Sequence, residues 1–154
     1  MGVARPDSGI NWKDLYNLLQ ALIYSVLGDP DLRVGTTATQ IRVDAFPVRI
    51  GNRVDTVAAQ ASVAVTGLTN TSATQFRKVR VETNLAGTLT FKEGAPATAQ
   101  VLAEIPRRTA ALATVGWIEI PNSHTWGTTS LAAVTFFSGD PDLGSGSGVP
   151  PNDR

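Results

Sequence analysis

The chain has 154 residues, thirteen basic and thirteen acidic side chains, and no cysteine. That length suits one domain with its own core, and the balanced charge leaves no overall field to gather nucleic acid or an acidic membrane. Without thiols there is neither a disulfide framework nor a thiolate metal site.

Residues 1–10 are polar, contain Gly2, Pro6 and Gly9, and read as a flexible N-terminal arm without a targeting segment. Residues 11–28 read as one amphipathic helix. Asn11 is suited to cap its first turn, and Ile10 and Leu15 occupy the two positions of a hydrophobic staple. Gly28 and Pro30 supply the stop. Trp12, Leu15, Leu19, Leu22 and Val26 follow a 3-4-3-4 spacing, with Tyr16 and Ile23 widening the stripe. A period near 3.6 puts them on one face and also matches a coiled-coil seam. The stripe packs either on the protein's own sheet or against symmetry mates. In both cases it is a docking element.

Residues 39–137 read as a β domain. Ile41, Val43 and Ala45 alternate with polar neighbours, and the phase flips to Phe46, Val48 and Ile50, with Pro47 at the break. Parity predicts a three-residue loop at Gly51–Arg53, pairing Ile50 with Val54 and Phe46 with Ala58. The same reasoning over 76–94 places a loop at Leu85, Ala86 and Gly87 and pairs Thr83 with Leu89 and Val81 with Phe91. Residues 95–104 favour a short helix or turn before Pro106. Residues 115–120 form a strand, and 131–137 are the last apolar run. The segment 138–154 is rich in Gly, Ser and Pro and reads as a flexible tail. The fold class is mainly β: an antiparallel β-sandwich or barrel-like domain with one N-terminal amphipathic helix.

Nothing in the residues argues for catalysis, a metal or another cofactor. His124, the one histidine, lies among turn residues and reads as a surface side chain without a nucleophile-elbow pattern nearby. The repeat Gly-Asp-Pro-Asp-Leu at 28–32 and 139–143 lacks the further ligands of a calcium loop and reads as turn chemistry. Arg77, Lys78 and Arg80, and Arg107 with Arg108, are local basic clusters that strand faces and loops also produce. Trp12 and Trp117 read as packing residues rather than a sugar platform.

The ordered run FPVRIGNRVDTVAAQASVAVTG (46–67), TQFRKVRVETNLAGTLTFKEG (74–94), APATAQVLAEIP (95–106), VGWIEI (115–120) and TWGTTSLAAVTFFSGDP (125–141) resembles tailed-phage virion structural proteins. The likeness is greatest to head decoration (cement) proteins and to head or tail fibre proteins. It covers roughly residues 40 to 140 and lies mostly in the order of the segments. Gly127-Thr128-Thr129 and Leu131 match the closing turn, whereas Trp126 stands where a proline is frequent. The resemblance implies a non-enzymatic homotrimer on the outer surface of a phage head, made in the host cytoplasm, with the major capsid protein as partner. It implies no nucleic acid, membrane or small-molecule substrate. The other expectation is a trimeric fibre or receptor-binding module that recognises host surface glycans.

Overall fold

Helix α1 (Trp12–Ile23) runs without a loop into strand β1 (Tyr24–Val26), and this junction ties the helix to the middle of a sheet. The computed structural model describes residues 12–143. The expected arm at 1–10, the Asn11 cap and the tail beyond 143 lie outside the described residues.

The helix is shorter than the 11–28 span expected from its spacing. Tyr24, Ser25 and Val26 pair antiparallel with Ile50, Arg49 and Val48, and Ser25 pairs parallel with Thr114 on the other side. With partners on both edges, the backbone groups of 24–26 are satisfied in a strand, and tertiary context overrides the local pattern. The Gly51 N–H donates to the Ile23 carbonyl at 3.1 Å and closes the helix end. Val26 therefore leaves the helical stripe and packs against the core.

The remaining strands are β2 (Arg33–Val34), β3 (Gln40–Val43), β4 (Phe46–Ile50), β5 (Arg53–Val57), β6 (Gln60–Ala64), β7 (Arg77–Thr83), β8 (Leu89–Glu93), β9 (Ala113–Ile120) and β10 (Thr135–Ser138). The large sheet runs β5-β4-β1-β9-β7-β8 with β10 also beside β9, and the small sheet runs β2-β3-β6. The fold is mainly β and sandwich-like. Its core draws Ile41 and Val43 from the small sheet, and Phe46, Val48, Val79, Val81, Ile118 and Ile120 from the large one. Strand structure begins before residue 39, because β1 and β2 precede it.

The expected break near Pro47 falls two residues earlier, at Asp44 and Ala45, where the chain leaves the small sheet for the large one. Pro47 itself sits inside β4, with its carbonyl accepting from Leu27 N–H at 2.9 Å. In an antiparallel strand a residue's N–H and C=O point to the same neighbour. Its missing donor is therefore aimed just past the end of β1, where proline costs least.

The two hairpins differ in outcome. β7 and β8 pair Thr83 with Leu89 and Val81 with Phe91, the expected register. Gly87 holds φ 83°, and a Cβ there would meet Val57 Cγ1 at 2.8 Å, so both backbone and space require glycine. β4 and β5 instead pair Ile50 with Arg53, Val48 with Asp55 and Phe46 with Val57, around a two-residue turn. The parity rule fails because β5 is an edge strand. Its residues 53–56 are all exposed, so no core contact penalises that register.

β9 is the axis of the sheet. β7 flanks one edge, while β1 takes the start of the other edge at Thr114 and β10 the rest, from Gly116 to Glu119. A Cβ on Gly116 would collide with the Phe137 carbonyl, so only glycine admits β10 at this distance. The segment 95–104 contributes a 3-10 turn (Gln100–Leu102), and a second one (Leu131–Ala133) precedes β10. Residues 138–143 are not a loose tail. Ser138 ends β10, Gly139 N–H donates to the Val115 carbonyl at 2.8 Å, and Pro141–Leu143 forms a third 3-10 turn.

Candidate functional site on the outer face of the large sheet

Alternation along β7 sends Val79, Val81 and Thr83 to the core and Lys78, Arg80 and Glu82 to the opposite face. That outer face is roofed by the 104–112 segment, by the Pro141–Leu143 turn and by α1 packed against that turn. Arg80 is consequently sealed, at 2% exposure, and must find partners within the protein. Its Nε donates to the Pro106 carbonyl and its Nη1 to Thr114 Oγ1, both at 2.8 Å. Nη1 also lies 3.2 Å from Asp142 Oδ2 and 3.5 Å from Asp140 Oδ1. Arg108 lies 3.6 Å from the other Asp140 oxygen, and its Nη2 donates to the Tyr24 and Leu112 carbonyls at 2.6 and 3.2 Å. Glu82, 1% exposed, accepts from the Thr109 N–H at 2.6 Å.

Burial pushes the Asp140 carboxyl above its ordinary range. The Asp142 charge adds to that rise, while Arg108, the Asp142 N–H and Arg80 oppose it. The repeated Gly-Asp-Pro-Asp-Leu segments share one local motif. Asp29 Oδ1 accepts from Asp31 N–H at 2.8 Å, and Asp140 Oδ1 accepts from Asp142 N–H at 3.0 Å. Among the described residues no group of three or more carboxylate or histidine side chains is placed to hold a metal ion.

Helix α1 covers this layer with an inverted polarity. Ala21 is fully buried, while Trp12 is 85% exposed, Leu22 51% and Leu19 46%. Leu15 is half-buried. At 100° per residue, Trp12, Leu19 and Ile23 lie almost diametrically opposite Ala21. The predicted stripe is thus not the face that packs on the protein's own sheet. Tyr16, about 20° from Ile23 around the helix, borders the outward line and, with Gln20 one turn on, lines a cleft of about 140 Å³ with Arg107, Thr109 and Asp142. No helix among the described residues is long and apolar enough to cross a membrane.

Set against protein-family models, curated proteins and solved structures, the chain matches none.

His124 is not a surface side chain: it is 1% exposed. Its N–H donates to Thr71 Oγ1 at 2.8 Å, its carbonyl accepts from Thr71 N–H, and its ring stands edge-on to Trp126 with centroids 4.6 Å apart. Neither ring nitrogen has a hydrogen-bond partner among the described residues, and burial lowers its pKa. Trp117 packs as expected, stacked on Phe137 at 4.7 Å.

The buried ion layer has a sequence signal in the alternation of Lys78, Arg80 and Glu82 with Val79, Val81 and Thr83. Solvent-facing strands show the same pattern, so the signal alone does not distinguish a roofed face from a wet one. Asp140 lies in a run whose composition points to disorder. Its role depends on a contact across 60 residues.

Proposed function

We propose that the chain coats the outer surface of a phage head as trimers docked through α1, and reinforces the shell against internal pressure. The observation that carries this reading is the outward apolar line of α1. Its largest side chains face water on the side opposite Ala21, an arrangement that suits a surface awaiting a partner. The resemblance of the segment order to head decoration proteins, the mainly β domain and the second exposed apolar pair, Val101 and Leu102, fit the same role.

Magnitudes decide the form of assembly. Burying Trp12, Leu19, Leu22 and Ile23 together contributes roughly 6 kcal/mol, allowing for their partial burial at the start. Association costs about 4–15 kcal/mol in lost freedom and ordering. The α1 seam alone therefore supports a weak, concentration-dependent oligomer in solution. A shell that holds many copies side by side supplies the remaining stabilisation through effective concentration.

Light scattering on the purified chain, alone and mixed with undecorated heads, tests this. The expected result is a mass approaching three times 16.2 kDa at high concentration and saturable uptake by heads. A chain that stays monomeric and leaves heads bare ends the reading. The cleft beside Tyr16 favours a second reading, a trimeric fibre module that recognises host surface glycans. Binding to cells or polysaccharide instead of heads would select it.

A further inference from the structure

We propose that the cleft between α1, the 106–112 loop and the Pro141–Leu143 turn binds a single carboxylate-bearing sugar ring. The proposal rests on the fibre reading and gives it a ligand; a chain that binds polysaccharide without binding glucuronate would refute the ligand and leave that reading standing.

The walls of the cleft are fixed from beneath. Arg80 holds the Pro106 carbonyl, Glu82 holds the Thr109 N–H, and Arg108 ties Leu112 to Tyr24. The loop accepts strain to keep this shape, for Ala111 sits at φ 63°, a conformation that alanine rarely adopts. Arg80 is thereby turned inward, and Arg108, which also lines the cleft, is tied to Tyr24, Leu112 and Asp140. The third arginine near the loop, Arg107, is exposed and makes no ion pair or hydrogen bond among the described residues.

Size and chemistry narrow the ligand. A volume of about 140 Å³ is close to the roughly 150 Å³ cavity that takes benzene, so a single ring can enter only with its substituents directed out of the cleft. The free guanidinium fork suits a carboxylate, which it meets with two parallel hydrogen bonds. Tyr16, 61% exposed, offers an apolar ring face for the C–H side of a sugar. The Gln20 amide and the Thr109 hydroxyl can both donate and accept. Asp142 engages Arg80 through Oδ2, and its Oδ1 has no hydrogen bond among the described residues, which leaves it for a ligand hydroxyl. A neutral sugar would leave Arg107 without a counter-charge. Phosphate would bring a second anion to Asp142 with little O–H to offer it. A sugar acid answers both groups at once.

Amide chemical shifts of the full chain, titrated with glucuronate, glucose and inorganic phosphate, test the site. Glucuronate is expected to shift the Gln20, Thr109 and Ala110 amides saturably, with a Kd of about 1 mM for so small a contact. Glucose should bind at least about tenfold more weakly, and Arg107→Ala should weaken glucuronate by a similar factor. Tyr16→Ala should weaken both sugars. The spectra of the variants report directly whether the fold is retained. Absence of saturable shifts up to about 20 mM, equal shifts with phosphate, or an unchanged Kd in Arg107→Ala would each overturn the proposal. A glucuronate-terminated oligosaccharide separates the two sources. Binding as tight as free glucuronate supports the end of an acidic polysaccharide, and binding about tenfold weaker supports a free sugar acid.

Discussion

Arg80 and Asp140 are 60 residues apart in sequence and meet at 3.5 Å with side chains only 2% and 4% exposed. This contact fastens the last described turn to the middle of the large sheet. Breaking a buried pair from one side leaves a charge without compensation, typically at about 3–5 kcal/mol. Asp140→Ala is therefore expected to lower unfolding free energy by about 3 kcal/mol in urea titration, because Asp142 still partners Arg80. Arg80→Leu combined with Asp140→Leu should cost less than the two single changes added together.

Asp142 touches the same guanidinium but is 27% exposed. Solvent screens that contact, so Asp142→Asn is expected to cost less than about 1 kcal/mol. A cost as large as that of Asp140→Ala would show that the two aspartates act as one unit.

His124 gives the fold an acid sensitivity whose sign is fixed by its environment. Burial lowers its pKa from 6.5, so the unfolded chain takes up its proton first as pH falls. Stability from neutral His124 is fully present above about 6.5 and is lost progressively below it. His124→Phe removes the titrating group while keeping an aromatic ring against Trp126, and sacrifices no ring hydrogen bond among the described residues. Thermal melts between pH 5 and 7.5 should show a flatter pH dependence for this variant. An unchanged slope would place the acid sensitivity elsewhere.

Glu93 works in the same direction with a different balance. Burial disfavours its charge, yet the Thr69 N–H and hydroxyl and Arg77 outweigh burial and lower its pKa below 4.5. Its contribution is present above the ordinary carboxylate pKa and is lost as pH falls through the lowered value. Glu93→Gln is expected to reduce the loss of stability at the most acidic pH and leave the region near pH 6 unchanged.

Under the proposed head-coating role, the outward line of α1 serves assembly and not folding. Trp12→Ser with Leu19→Ser removes two exposed apolar side chains, so the monomer's stability should change by no more than about 0.5 kcal/mol per site. Self-association in sedimentation, and uptake by heads, should be lost. By contrast, Ala21→Asp buries an unpaired charge on the opposite side and is expected to prevent stable folding. If the surface pair leaves the oligomer intact, the seam lies elsewhere.

Sequence pattern was most informative where both sides of a structural choice carried an energetic penalty. The β7–β8 register is legible because Val81, Thr83, Leu89 and Phe91 must share the core side and Gly87 must turn. The β4–β5 register is not, because Arg53, Val54, Asp55 and Thr56 all face water and tolerate either parity. The end of α1 was hidden because Tyr24 and Val26 extend the apolar pattern in a helix as readily as they pair in a strand. The apolar stripe on α1 is legible in its spacing, but the side it faces depends on what Ala21 touches. Burial of Arg80 depends on a roof assembled from distant segments, which strand periodicity does not encode.

The loopless passage from α1 into β1 has a mechanical consequence. From Ile23 to Leu27 the chain is bonded to the β4 hairpin on one edge, and Ser25 pairs with Thr114 on the other. A partner pulling on the helix along the strand direction would load these bonds together in shear, without a slack connector to absorb the displacement. Tension entering through α1 passes directly to β9, so the central strands resist it as one body.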